Sequence, residues 1–283
     1  MRKRRKMMGL YIAGAIVSLV ILLPIYWMFV SAISPKVELL SKPPHWFPEN
    51  PTLNNLKKLI VGGRGISGEV PNFARAMFNS TMVALITTGI CLLLSIPAGY
   101  SLARKFPNFR QAYLNVIITA RMFPEIALVL SMYLIVSRLK IINTWWGLIF
   151  VYTSFILPYA VWMMYGYFLA IPRELDEAAY IDGAGSWRAL LMVNLPLALP
   201  GISTVSIFSF LMCWDEFLYA LILTFNMKAK TITVVVSEFT TRHMIDYGLM
   251  MAGGLAATIP PLILVIIFQR YIVSGLTAGA VKG

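Results

Sequence analysis

Long intervals without a single Asp, Glu, Lys or Arg constrain this chain more than any other feature of its sequence. They run 7–35, 76–103, 141–172, 189–214 and 247–269. Each can hold an apolar helix of roughly 20 residues, the length that crosses a bilayer, where buried charge is costly. A sixth apolar stretch, from Tyr113 to Val136, is interrupted by Arg121 and Glu125, and the fourth interval continues past Asp215 and Glu216 to about Leu223. Composition agrees, with 59% hydrophobic and 13% charged residues against about 45–50% and 25% in soluble domains. The expected fold is an all-α integral membrane protein, one domain over 1–283. Its spans are expected near 9–33, 79–103, 113–136, 145–169, 201–223 and 248–270.

Six crossings put both termini on one side. Arg2, Lys3, Arg4, Arg5 and Lys6 directly precede the first apolar run, and basic flanks favour the cytoplasm, so both termini are expected there. The formal charge of +12 therefore reads as topology and not as a nucleic-acid face, which needs its bases on a solvated surface. The run from Met7 beyond Ile33 exceeds the ~7–15 apolar residues of a signal peptide, so an uncleaved first span is expected. Cys91 and Cys213 lie inside apolar runs and suggest neither a disulfide framework nor a metal site.

The 34–78 segment carries Pro35, Pro43, Pro44, Pro48 and Pro51 and the run Gly62-Gly63-Arg64-Gly65, and is expected to be an irregular loop on the outer side, like the 224–247 segment. The glycines form no phosphate cradle, since no GxxxxGK string followed by Ser or Thr exists in the chain. His45 and His243 fall in these outer loops, and there is no HExxH string. Enzymatic chemistry is not expected from this chain.

The segment 171–200 is too long for a tight turn and too polar to span. Pro172 suits a first helical position, and Glu174, Asp176 and Glu177 complement the positive end of a helix dipole. A helix over about 173–181 is expected to stop at Gly183-Ala184-Gly185. Ser186 is expected to cap a second helix from Trp187 to about Leu195, ended by Pro196 and Pro200.

Within that segment the string Glu177-Ala178-Ala179-x-x-Asp182-Gly183-Ala184, then Val193-x-Leu195-Pro196 and Pro200, resembles the EAA loop of ATP-binding-cassette importer permeases. The ending Phe268-Gln269-Arg270-Tyr271, then Val273-x-Gly275-Leu276-Thr277-x-Gly279-Ala280-Val281-Lys282-Gly283, resembles the carbohydrate-uptake branch, of the maltose-type second permease subunit. Trp214-x-Glu216-Phe217, Leu157-Pro158 and Asn143-Thr144 agree.

The resemblance implies the type I importer permease fold in a bacterial or archaeal cell (inner) membrane. It also implies transport of a sugar, of disaccharide or oligosaccharide size, with no cofactor on this chain. ATP and Mg would be used by a partner ATPase homodimer, alongside a second homologous permease, membrane lipid and an extracytoplasmic sugar-binding protein that faces the 224–247 loop. Glu177, Ala178, Ala179, Asp182, Gly183, Leu195 and Pro196 would dock on the ATPase. Ala178 and Ala179 would supply the close-packing face, and the tail at Gly279, Lys282 and Gly283 would reach toward the same interface or form a simple extension.

Arg121 and Glu125, four apart with Pro124 between them, are expected on one helix face, as a self-satisfied pair or as lining of the sugar pathway. Glu216 and Tyr152 are the other pathway candidates. Asp215 is adjacent to Glu216 and must face elsewhere. Trp145 and Trp146 fit an interfacial belt better than a stacking surface. The small residues Gly248, Ala252, Gly253, Gly254, Ala256 and Ala257 suggest a helix contact with another subunit. The competing reading is a self-contained ion-coupled transporter using Arg121, Glu125, Asp215 and Glu216 as a relay. Such carriers show internal repeats, and none is evident here.

Overall fold

The computed structural model of the chain describes residues 2–62, 64–65, 68–69, 71–121, 123–240 and 245–280; at 2–6, 64–65, 68–69, 107–108, 118, 120–121 and 270–280 the description is of the backbone alone. Helices dominate: α1 Arg2–Ile33, α2 Lys36–Leu39, α3 Asn54–Val61, α4 Phe73–Arg104, α5 Pro107–Arg121, α6 Glu125–Arg138, α7 Trp145–Ala170 and α8 Glu174–Ile181. There follow α9 Ser186–Ala189, a π-helical turn Leu190–Asn194, α10 Leu195–Leu197, α11 Leu199–Trp214, α12 Leu218–Leu223, α13 Ile232–Ser237, α14 Tyr247–Ala257 and α15 Ile259–Ala280. A two-residue hairpin pairs Arg64–Gly65 with Gly68–Glu69.

Among the described residues, four helices are long and apolar enough to cross a membrane: Met7–Ile33, Phe73–Arg104, Trp145–Ala170 and Tyr247–Gln269, the last running through α14 into α15. Their ends follow local chemistry. Thr144 accepts the Gly147 N–H at the start of α7, and Asp246 accepts that of Leu249 at the start of α14, each satisfying a donor that a helix N-terminus leaves orphaned.

Two expected spans differ. The stretch 113–136 is not one helix, because α5 ends at Arg121 and α6 starts at Glu125 with Pro124 as its extended N-cap. Proline supplies no N–H and pushes the preceding residue out of the α region, so Arg121 and Glu125 share no helix face. The stretch 201–223 is interrupted at Asp215–Phe217, between α11 and α12. The helix preceding it also bends: Ser186–Leu197 and Leu199–Trp214 meet at 79°. Pro196 does not end the second short helix, which continues to Leu197.

The chain forms two compact units, one of 1–75 with 234–259 and the other of 76–233 with 260–283. In the first, Asn55 donates to the carbonyls of Ala32 and Ser34, satisfying the C-terminal end of α1. Three of the small residues of α14 are used in close contacts inside this unit. A Cβ on Gly248 would meet Asn55, one on Gly253 would meet Phe239 and Val236, and one on Gly254 would meet Met28. The 34–75 stretch is not wholly irregular, since it holds α2 and α3.

In the second unit α7 is the central element, with Leu148, Val151, Ala160, Met164 and Phe168 fully buried. α4 approaches it at Gly99, where a Cβ would lie 2.8 Å from the Met164 Cβ and the Tyr165 backbone nitrogen. The 224–233 part of the expected outer loop is packed, with Thr224, Ala229, Thr231 and Ile232 buried.

Candidate functional site

The segment after α7 folds as two short helices around a turn. Ile171 leaves the helix in an extended conformation, and α8 opens with Glu174, Asp176 and Glu177 in its first turn. Gly183 takes φ +80°, a left-handed conformation that costs glycine nothing and other residues about 1 kcal/mol or more. Gly185, not Ser186, is the residue before α9, and no side chain caps that helix.

Asp176 is the anchor of this segment. It is 3% exposed, and its carboxylate accepts from Arg104 Nε at 2.7 Å, from the Tyr100 hydroxyl at 2.7 Å and from Asn194 Nδ2 at 2.8 Å. Arg104 also donates to the Ile171 carbonyl, and Arg173 reaches back to the Ala103 carbonyl. Asn194 donates further to the Ala189 carbonyl. Removing an ion pair from water is costly unless every lone pair and proton finds a partner, and here three donors share the carboxylate.

The sequence marks Asp176 as one acid of a helix-dipole cluster, and no local signal in it pairs Asp176 with Arg104, Tyr100 or Asn194.

Of the expected docking residues, Glu177, Ala178, Asp182, Gly183 and Pro196 are exposed and Leu195 is half-buried, whereas Ala179 is buried within the chain itself and so is unavailable as a packing face. Leu175, Tyr180, Ile181, Trp187, Leu191 and Met192 are also exposed, Ile181 at 87% and Trp187 at 67%. Beside Trp187, a cavity of about 120 Å³ opens between Pro97, Tyr100, Ser101, Lys105, Ser186 and Leu190. An apolar face of this kind, rimmed by Glu177, Asp182 and Arg188, has the make-up of a protein-docking surface.

The pathway candidates lie apart from this turn. Glu216 sits in the break between α11 and α12, where its two carboxylate oxygens accept the N–H groups of Tyr219 at 2.7 Å and Ala220 at 3.1 Å. The carboxylate thus caps α12, and the Glu216 carbonyl accepts the Thr233 hydroxyl. Tyr152, fully buried, interacts electrostatically with Glu216 without reaching hydrogen-bond geometry. Glu125 is exposed and within electrostatic reach of Glu216, and its carbonyl accepts the Tyr219 hydroxyl. Phe155 stacks on Tyr219 with ring centroids 5.1 Å apart. Glu125, Glu216 and Tyr152 therefore gather in one region; the side chain of Arg121 lies outside the described residues. Asp215 is exposed at the end of α11. The buried hydroxyls of Ser95, Thr153 and Ser209 have no hydrogen-bond partner among the described residues.

Trp145 is a structural clamp. Its indole N–H donates to Asn79, whose amide donates in turn to the carbonyls of Met227 and Lys230. Trp146 is exposed. Asn143 accepts the Phe225 and Asn226 N–H groups, and Ser80 accepts that of Ile232, so 224–233 is fastened along its length. In the tail, Gly279 lies on the backbone of α15, while Lys282 and Gly283 lie outside the described residues.

Residues 95–278 match the family described as binding-protein-dependent transport system inner membrane component. The chain is 36% identical over 273 residues to the sulfoquinovosyl glycerol transport system permease protein SmoH of Agrobacterium fabrum, covering 96% of this chain and 93% of that protein. It is 36% identical to the trehalose transport system permease protein SugB of Mycobacterium tuberculosis, covering 93% of each. It is 33% identical to the trehalose/maltose transport system permease protein MalG of Thermococcus litoralis, covering 97% and 96%. Among solved structures, a chain of a bacterial ABC transporter that imports the acidic polysaccharide alginate superposes with a TM-score of 0.74, at 18% identity and over 96% of this chain and 98% of that one. At that identity the likeness shows the fold alone.

Proposed function

The chain belongs to the inner membrane component family of binding-protein-dependent transport systems, and from that premise we propose that it is the second permease subunit of an ATP-driven sugar importer. Relatives of nearly the same length are named for sulfoquinovosyl glycerol, trehalose and maltose, which supports a disaccharide-sized or glycoside cargo.

In this reading the chain crosses the cell (inner) membrane six times: by α1, α4, the broken pair α5–α6, α7, the broken pair α11–α12, and α14–α15. Its termini are cytoplasmic. The breaks explain why so few single helices are long enough to span. Discontinuous helices are tolerated in membranes where side chains re-satisfy the freed backbone groups, and Glu216 does so for Tyr219 and Ala220. Glu125, which is exposed, lines the sugar route, while Glu216 shapes it through its position at the break and Tyr152 packs behind.

The observation that carries the coupling role is the exposed turn Glu177–Gly183 held on a buried anchor. A surface that must take force from a partner needs exposed contacts and a rigid base. A separate ATPase homodimer, using Mg and ATP, engages Glu177, Ala178, Asp182 and Gly183. Its closure rocks this chain and a homologous permease between inward-facing and outward-facing states. An extracytoplasmic binding protein delivers the sugar.

The test is to purify the complex through a tag on this chain, screen the co-purifying or co-encoded binding protein against sugars by thermal shift, and reconstitute uptake. ATP-dependent uptake that needs the binding protein is expected. Uptake by this chain alone, driven by an ion gradient, would instead establish the ion-coupled alternative.

A further inference from the structure

α8 is an eight-residue helix with a non-helical joint at each end. Before it, Ile171 is extended; after it, Gly183 is left-handed. At these joints the regular helical ladder is broken, and the backbone is held only by turn bonds such as Ala184 N–H to the Ala179 carbonyl and Ile171 N–H to the Phe168 carbonyl. Side-chain bonds add a second connection, from α8 to a long helix through space.

The carboxylate of Asp176 meets Arg104 and Tyr100, which belong to the last turn and a half of α4, and Asn194, which belongs to the π-helical turn. Two further bonds run in opposite directions between the same segments, Arg104 to the Ile171 carbonyl and Arg173 to the Ala103 carbonyl. Both charged side chains are nearly solvent-free, at 6% and 5% exposure. In so dry a site the interaction is strong, and removing one partner would leave an uncompensated buried charge.

We infer that Asp176 and Arg104 are positioning residues that make α4 the lever driven by the docking turn, with Tyr100 and Asn194 fixing their geometry. The inference rests on the importer reading, and it assigns to residues that touch neither ATPase nor sugar the transmission of motion between them.

The experiment compares whole complexes carrying Asp176→Asn, Arg104→Lys, both together, or Tyr100→Phe. They are reconstituted with the binding protein, and sugar uptake and ATP hydrolysis are measured on the same vesicles. Asp176→Asn and Arg104→Lys each lower the sugar carried per ATP by about tenfold, within the range by which residues along a coupling route act. The double variant is no worse than either single, because the pair acts as a unit. Tyr100→Phe, which removes one hydroxyl and is the variant least able to disturb folding, lowers the ratio by about threefold.

An unchanged ratio in assembled complexes overturns the inference. So does a parallel fall in uptake and hydrolysis that tracks the amount of folded complex, since that marks a brace and not a lever. Failure of the wild-type complex to take up any sugar with ATP overturns the importer reading, and this inference with it.

Discussion

The indole N–H of Trp145 donates to the side-chain carbonyl of Asn79 at 3.0 Å, joining the start of α7 to α4 and leaving the Asn79 amide to hold the carbonyls of Met227 and Lys230. Asn79 is wholly buried, so its loss removes three hydrogen bonds at once. Asn79→Ala is expected to destabilise the protein by about 2–4 kcal/mol, at about 1 kcal/mol for each hydrogen bond lost. Thermal unfolding in detergent checks this, and limited proteolysis should cut first within 224–233. Equal melting temperatures would refute it.

Close packing of α4 on α7 gives a second prediction. At Gly99 a Cβ collides with backbone as well as with Met164, whereas at Gly166 nothing lies within 4 Å. Gly99→Ala is expected to cost about 1–3 kcal/mol by overpacking. Gly166→Ala, in a helix interior, is expected to be neutral or stabilising by up to about 1 kcal/mol. The two variants have identical chemistry, and comparing their melting temperatures isolates the steric effect.

That α1, α4 and α7 are long apolar helices was legible because the bilayer imposes a simple rule on composition, although α4 begins at Phe73, six residues before the expected 79, and the helix–turn–helix at 174–197 was legible because acids, glycines and prolines mark local conformation. The interruptions were less so. Pro124 is visible in the sequence, but a proline alone does not decide the matter, since Pro97 and Pro158 lie inside helices. The adjacent acids Asp215 and Glu216 marked a polar point in an apolar stretch, but not that the helix breaks there, because Glu216 caps α12 only once Tyr219 and Ala220 have turned toward it. The Arg104–Asp176 pair joins residues 72 positions apart, a separation at which periodicity carries no information. The packed 224–233 segment carried only scattered apolar residues, Phe225, Met227, Ala229 and Ile232, too few among its polar neighbours to mark it as buried.

Glu216 supports a prediction that separates a structural from a ligand role. Because both carboxylate oxygens are occupied by α12, Glu216→Ala is expected to leave N–H groups unsatisfied at a cost of about 1–3 kcal/mol. Maximal uptake and complex yield should fall while the sugar concentration for half-maximal uptake is unchanged. Glu216→Gln retains one acceptor and should be intermediate. A rise in that half-saturating concentration with normal maximal uptake would identify Glu216 as a sugar ligand instead.

The docking turn yields the last prediction, and the two positions fail for different reasons. Glu177 is exposed, whereas its neighbour Asp176 is the buried anchor. Charge reversal by Glu177→Lys should therefore leave stability within about 0.5 kcal/mol, as for surface substitutions generally, yet abolish uptake by opposing whatever basic group the partner presents. Gly183 has open space around it but a φ of +80°, which the proline ring, fixed near −65°, cannot adopt. Gly183→Pro must therefore reshape the turn, while Gly183→Ala keeps it at a cost of about 1 kcal/mol. Uptake is expected to be lost in Gly183→Pro and largely retained in Gly183→Ala, with the complex present in the membrane in every case. Normal uptake by Glu177→Lys and Gly183→Pro together would show that this turn does not carry the coupling.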